Sequence, residues 1–360
     1  MRKRKYGWLA GSAMVSALVL SACGGGGDEE AGGDGEETYD WRFVTEENEG
    51  QVQYEYAEEF ANRLNEKSDG RINMDVFEFG GLGSEVDQVE QLQNGAVEFA
   101  IVSPGFTGTM VEEGQIFSLQ FLLPDDQEVT HQLLNESEAL NEDLAALYEE
   151  SGILPLSFWT EGATQWTGSR ELTEPEDFEG FRMRTQDSPL NQRSYEAYGA
   201  DPTVMSAGDL YGALQQGTVD GQENPIFFIQ DSSYHEVQDY MTISNHNTYV
   251  AMTTVNPDFY NDLPEDIQGM IDETVDEMRD ESYALQERLN EELLTDIEEN
   301  TDTPTEVTEL TEEQRDAFRE LAVPQRDFFA ETAEKTQRLF WKSLKEKSKK
   351  WKVEKHPNNL

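Results

Sequence analysis

Between Trp41 and Val102 the chain alternates short stretches of period two with longer stretches of helical period, with glycines at most of the joints. Trp41-Arg42-Phe43-Val44 predicts a first strand, rich in aromatic and β-branched residues. Tyr54, Ala57, Phe60, Ala61 and Leu64 predict one face of a helix over 50–67, closed by Gly70. Ile72, Met74 and Val76 alternate as a second strand, followed by a turn at Gly80-Gly81-Leu82-Gly83. Val86, Val89, Leu92 and Gln93 predict another helix, stopped at Gly95, and residues 97–102 a strand ending at Ser103-Pro104-Gly105. Parallel neighbours need crossovers, so this β-α-β-α-β order predicts a mostly parallel sheet with helices on its faces.

The rhythm returns after residue 150. Ile153 to Trp159 predicts a strand, and Gly180 to Thr185 a short one behind a helical turn at Pro175. Helices are expected over 191–198 and 209–216, each ended by glycine, with a strand edge at Val219-Asp220-Gly221. Thr248 to Val255 predicts a strand running to Asn256-Pro257. Two long acidic helical stretches follow, Pro264 to Glu299 and Glu312 to Lys350, the second broken at Pro324. These segments predict two α/β lobes that share connecting strands and a long helix.

The N-terminus carries a different signal. A basic segment, Met1-Arg2-Lys3-Arg4-Lys5, precedes an apolar run from Trp8 to Leu20 that is short for a membrane span. Leu20-Ser21-Ala22-Cys23 has the lipobox pattern and predicts cleavage before Cys23 and lipid attachment to it; the alternative is a free thiol. Cys23 is the only cysteine, so no intramolecular disulfide can form. Residues 24–37 are glycine and acid almost throughout, a flexible tether. The expected organisation is a leader over 1–22, lipidated cysteine and tether over 23–38, one lobe from 39–161 plus 249–290, and a second from 162–248 plus 291–334. A basic tail over 335–360 follows, with Leu339, Phe340, Trp341, Leu344 and Trp351 among its lysines; it either lies on an anionic membrane or packs on the body.

The formal charge of −49 argues against nucleic acid as a partner, because phosphate binding needs clustered positive charge. The 75 acids are spread along the chain, as a solvated acidic surface would be, and no Asp-x-Asp-x-Asp-Gly calcium loop is present. Ligands of open α/β sheets lie beyond the carboxyl ends of strands. Glu47 follows the first predicted strand, Phe106 the strand at 97–102 and Asn224 the edge at 219–221, while Arg184 ends the strand at 180–185. An arginine fork holds a carboxylate by two parallel bonds, and an asparagine amide can fix its orientation. By spacing alone each has a plainer reading: a salt bridge for Arg184, a turn before Pro225 for Asn224, a surface acid for Glu47, and core packing for Phe106, Phe228 and Tyr249.

The order of motifs narrows this. Pro175-Glu176-Asp177-Phe178-Glu179-Gly180-Phe181-Arg182-Met183-Arg184, then Tyr198-Gly199-Ala200-Asp201-Pro202-Thr203, Asp209-Leu210-Tyr211-Gly212-Ala213-Leu214-Gln215-Gln216-Gly217 and Asp220-Gly221-Gln222-Glu223-Asn224-Pro225 resemble the DctP-type substrate-binding proteins of tripartite ATP-independent periplasmic (TRAP) transporters. The resemblance runs from about Tyr39 to about Phe329. Trp41-Arg42, Glu46-Glu47, Asn94-Gly95, Ser103 to Gly108 and Asn224-Pro225-Ile226-Phe227 resemble the ectoine-binding members in particular. It implies an α/β, two-lobed periplasmic-binding-protein fold with mixed sheets, shared crossing strands and a long connecting helix. It further implies that Arg184 and Asn224 hold a ligand carboxylate, that Glu47 faces a cationic N–C–N group, and that Phe106, Phe228 and Tyr249 wall that ring. The chain departs from the ectoine binders at Ala207, where they place a tryptophan, which opens space and removes a cation–π partner. Many members carry a second arginine near Thr164; the ectoine type lacks it, as this chain does.

The expected function is thus an extracytoplasmic solute receptor, anchored to the cell membrane by lipid, or periplasmic in a cell with two membranes. It would bind a small carboxylate or zwitterion such as ectoine or 5-hydroxyectoine and deliver it to small and large TRAP membrane subunits, without a cofactor. The alternatives are a binder of another carboxylate, the receptor of an ATP-driven importer, and a secreted hydrolase. Against the last, no Gly-x-Ser-x-Gly elbow or His-Glu-x-x-His motif is present, and His131, His235, His246 and His356 show no metal-ligand spacing.

Overall fold

The computed structural model describes residues 37–332. The leader, Cys23, nearly all of the tether and the basic tail, for which expectations were stated, lie outside the described residues. Nine strands form one mixed sheet: β1 (Tyr39–Val44), β2 (Ile72–Phe77), β3 (Phe99–Val102), β4 (Leu154–Gly168), β5 (Arg182–Thr185), β6 (Asp201–Val204), β7 (Gly221–Pro225), β8 (Tyr240–Val255) and β9 (Glu306–Glu309). The helices are α1 (Val52–Lys67), α2 (Glu85–Gln93), α3 (Pro104–Thr107), α4 (Gln127–Glu136), α5 (Ala145–Glu150), α6 (Pro189–Glu196), α7 (Ala207–Gln215), α8 (Ile226–Asp231), α9 (Pro257–Asp262), α10 (Glu265–Glu299) and α11 (Glu312–Thr332).

The spatial order is β2-β1-β3-β8-β4-β7-β5-β6, with β9 beside β8. The β1, β2 and β3 neighbours are parallel, as the opening rhythm predicts, and so are β5, β6 and β7. The two groups are joined by β4 and β8, which are antiparallel to each other and far longer than expected. At 15 and 16 residues they reach roughly 50 Å. β3 pairs with Met252–Val255 at one end of β8, and β9 with Tyr240–Ile243 at the other.

Three apolar cores cover this sheet. One joins Phe43, Phe60, Trp159, Phe227 and Ile271 under α1, α7, α8 and α10. A second holds Val102, Ile116, Tyr148, Phe158 and Met252; a third holds Trp166, Phe178, Tyr195 and Phe318. On α1 the buried stripe is Val52, Tyr56, Ala57, Phe60 and Leu64. Tyr54, expected on that face, instead donates its hydroxyl to Glu58 on the exposed side. The expected break at Pro324 is also absent: α11 runs through it to Thr332. Proline removes one intrahelical bond, but Phe318, Ala322 and Phe329, all buried, hold the turns on either side.

Asn224 was expected just past a strand edge. It lies inside β7 instead, in register with Gln165 of β4. The motif around it is mostly architectural. Asp220 pairs with Arg182, Gln222 donates to Thr167, and Glu223 turns to the other face to meet His246, Tyr195 and Asn191. A Cβ at Gly221 would stand 2.2 Å from the Thr167 carbonyl oxygen and 2.6 Å from the Phe181 ring. Gly221→Ala is therefore expected to cost about 2 kcal/mol or more of stability, read from urea unfolding.

Candidate functional site

The midpoint of β4 is distorted on purpose by its sequence. Its register with β8 shifts between Thr160 and Gly162, so Glu161 stands at a bulge. Gly162 has φ +104°, and a Cβ there would strike Asn290 and Gln286 of α10 at 2.7–2.8 Å. Only glycine permits both the backbone and the close approach of α10. A bulge re-aims a side chain. Glu161 consequently leaves the strand toward Gln53 of α1, whose amide donates to its Oε1 at 2.8 Å.

Gln53 organises the neighbouring acids too. Its backbone N–H donates to Glu47 Oε2 at 2.7 Å, and its side-chain oxygen accepts the Glu46 N–H at 2.9 Å. Glu46 is held by the Ser103 N–H at 3.0 Å and by the Ser103 hydroxyl. All three carboxyls are buried. Burial pushes Glu46 up to about 8, against the opposing pull of Ser103. Burial, then the adjacent Glu161 charge, pushes Glu47 well above the usual range. Glu161 is pushed up to about 7 by burial, opposed by its bonds to Glu47 and Gln53. Glu47 and Glu161 are thus two buried acids that act on each other, an arrangement that favours a proton on one of them. Tyr249, in register with Gly162, feels these acids, is half-buried, and accepts a bond from Gln186 at 2.8 Å.

Arg184 lies on β5, and its residue is 2% exposed. Its Nε donates to the Met205 carbonyl at 2.9 Å, while Nη2, equally buried, has no hydrogen-bond partner. This contrasts with Arg182, two residues earlier, which is exposed and paired with Asp220. The plainer reading of Arg184 as a salt bridge therefore does not describe its environment. A buried donor left unpaired is costly, and a guanidinium more so. Asn224 is buried on β7, the parallel neighbour of β5, and donates to Gln222. Tyr234, within the field of Arg184, donates to the Ala207 carbonyl at 3.3 Å and packs its ring on Phe228 at 5.9 Å. Ala207 itself is half-buried.

The structure thus forms two groupings. Arg184, Ala207 and Phe228 meet through Met205 and Tyr234; Glu47 and Tyr249 meet around Glu46 and Glu161. Phe106 joins neither directly. It is half-buried in α3, its N–H bonded to the Ser103 carbonyl. Beside Tyr249 is a small polar cavity lined also by Ser103, Gly105, Thr164, Gln186 and Glu223; of the expected residues only Tyr249 reaches it. Among the described residues, no cluster of His, Cys, Asp and Glu is placed to hold a metal ion. Sequence reasoning missed Glu161, Gln53 and the separate part of Glu46. Glu161 did leave a signal: an acid directly behind the uncharged stretch Ser151 to Thr160.

The family model for bacterial extracellular solute-binding protein, family 7 (DctP) matches residues 43–333. The ectoine-binding periplasmic protein TeaA of Halomonas elongata is 38% identical over 300 residues, 83% of this chain and 87% of that protein. The ectoine/5-hydroxyectoine-binding periplasmic protein UehA of Ruegeria pomeroyi is 35% identical over 282 residues, 78% and 82% of the two. The structure of the TeaA-type ectoine-binding protein of the Halomonas elongata TRAP transporter matches with TM-score 0.83 at 36% identity, covering 86% of this chain and 99% of that one. A TRAP periplasmic solute-binding protein of Desulfovibrio salexigens, with bound orotic acid, matches with TM-score 0.82 at 27% identity, covering 87% and 100%. The matched span, the identities and the likeness of fold agree, and the chain belongs to the bacterial extracellular solute-binding proteins of family 7.

Proposed function

We propose that this chain is the receptor of a TRAP transporter for a small zwitterion of the ectoine type, carrying a carboxylate at one end and a delocalised cation at the other. The observation that carries this reading is the buried, half-partnered guanidinium of Arg184. It supplies an unmet donor for a carboxylate, and in this reading Asn224, buried on the adjoining strand β7, orients the same group. Glu47, with Glu46 and Glu161, supplies the negative charge that a buried cation needs. Phe106, Phe228 and Tyr249 are the walls of the ring. The lobes are 39–161 plus 249–290 and 162–248 plus 291–334, closing about β4 and β8 and presenting a closed surface to the membrane subunits. Lipid on Cys23 holds the receptor at the membrane; no helix among the described residues is long and apolar enough to cross one. The ligand leaves unchanged, since nothing in this reading asks for a bond to break.

A thermal-shift screen of ectoine, 5-hydroxyectoine, amino-acid derivatives and organic acids tests the reading, because a tight ligand raises the melting point by mass action. A response confined to organic acids without a cationic group would sink it. That second reading, a plain carboxylate, is favoured by one observation, the small side chain at Ala207. Ala207→Trp separates the two. The Ala207 backbone is fixed by Glu85 and Tyr234, so a new indole should fill the space over the ligand. Ectoine binding is expected to tighten about two- to thirtyfold, the range of one cation–π contact; weaker binding by calorimetry points to a pocket of another shape.

A further inference from the structure

Residues 205–207 are bound from three directions. Arg184 donates to the Met205 carbonyl, and Tyr234 donates to the Ala207 carbonyl. The third partner is Glu85, the first residue of α2 and only 1% exposed. Its Oε2 accepts the Ser206 hydroxyl at 2.7 Å and its Oε1 accepts the Ala207 N–H at 2.9 Å. Ser206 is the N-cap of α7, whose positive end favours the carboxylate. The two helices belong to different cores. Val89 and Leu92 of α2 are in the second, whereas Leu210, Ala213 and Leu214 of α7 are in the first. Beside this contact, Gly208 lies so close to the Phe79 ring that a Cβ would meet it at 3.2 Å.

We propose that Glu85 is a positioning residue for ligand capture: it clamps Ser206 and Ala207 across the cleft and so holds the Met205 carbonyl that orients the Arg184 guanidinium. The proposal rests on the reading of Arg184 as the carboxylate anchor. Its consequence is that seating the ligand and closing the cleft are one event. The bonds of Glu85 reach across to a segment that Arg184 also grips, so a ligand on Arg184 stabilises the clamp and the clamp slows ligand escape. Such coupling acts chiefly on the off-rate, the rate that most changes at a binding site move.

The test uses Glu85→Ala and Glu85→Gln in the full-length protein, with Asp87→Asn as control. Asp87 caps the same helix with Ser84 but does not touch residues 205–207. Two readouts are needed: hydrogen exchange of the 205–209 amides without ligand, and stopped-flow dissociation of ectoine. Glu85→Ala is expected to speed exchange in that segment and raise the off-rate about tenfold or more, with the on-rate unchanged. Glu85→Gln, which keeps one acceptor, falls between. Asp87→Asn leaves both readouts at the parent value. The proposal is overturned if Glu85→Ala matches the parent, or if Asp87→Asn reproduces its effects and the role is merely helical. Should the parent protein fail to bind ectoine, the ligand reading falls and the exchange of the 205–209 amides alone decides the clamp.

Discussion

Arg184→Ala is expected to weaken binding of a carboxylate ligand about 100-fold or more, because removing one partner of a buried charged pair costs roughly 2–5 kcal/mol. The geometry sharpens this. The guanidinium is already out of water and one of its nitrogens has no partner, so its desolvation is complete before a ligand arrives. A carboxylate that meets it gains the bond without that further cost. For the same reason the ligand-free protein should lose little stability on substitution, since an unmet buried donor leaves with the side chain. Arg184→Lys should be intermediate, keeping charge without the fork. Arg182→Ala is the control: its pair with Asp220 is exposed on the arginine side and contributes little. Calorimetry with ectoine and with a simple organic acid reads all three. Unchanged affinity in Arg184→Ala would remove this residue from the site.

The parallel units were legible because their strands and helices bury one face and expose another, which writes a period into the sequence. Trp41–Val44, Ile72–Val76 and α1 follow that rule, although the buried stripe of α1 begins at Val52 and Tyr56 rather than Tyr54. The long strands were not legible in full. β4 continues past Trp159 through Thr160, Glu161, Gln165 and Thr167, polar residues that are buried because each finds a partner inside. Three register shifts break its alternation. β6 and β9 are short and mostly exposed, so they carry no apolar pattern at all. In the site, Arg184 and Glu47 stood out through their motifs. Gln53, Glu85 and Glu161 did not, because their partners are 6 to 122 residues away and only the folded chain brings them together. The same holds for Asn224, whose strand is defined by pairing with β4 and not by its own composition.

Binding of a cationic ligand is expected to strengthen as pH rises toward 8, while binding of a plain carboxylate stays flat. The sign follows from the three acids. Glu46, Glu47 and Glu161 all have their proton affinity raised by burial, Glu46 to about 8 and Glu161 to about 7. Glu85 and Tyr249 face the same group, and Tyr249 is itself pushed well up by burial, so it stays neutral throughout. The folded, ligand-free protein therefore holds protons that the unfolded chain has lost, from the ordinary carboxylate range near 4.5 up to about 8. Its stability accordingly falls as pH rises through that window. A cation seated against the trio reverses the balance by favouring the charged acids, and expels a proton to do so. Each proton released gives up to about tenfold in affinity per pH unit below the shifted value, and none above it. A plain carboxylate held by Arg184 expels no proton and shows no such slope. Calorimetry in buffers of different ionisation enthalpy measures the release directly. Glu47→Gln should flatten the slope and weaken the cationic ligand while sparing the plain acid. Equal slopes for the two ligand types would show that the ligand does not touch the trio, leaving the three acids as a feature of the fold alone.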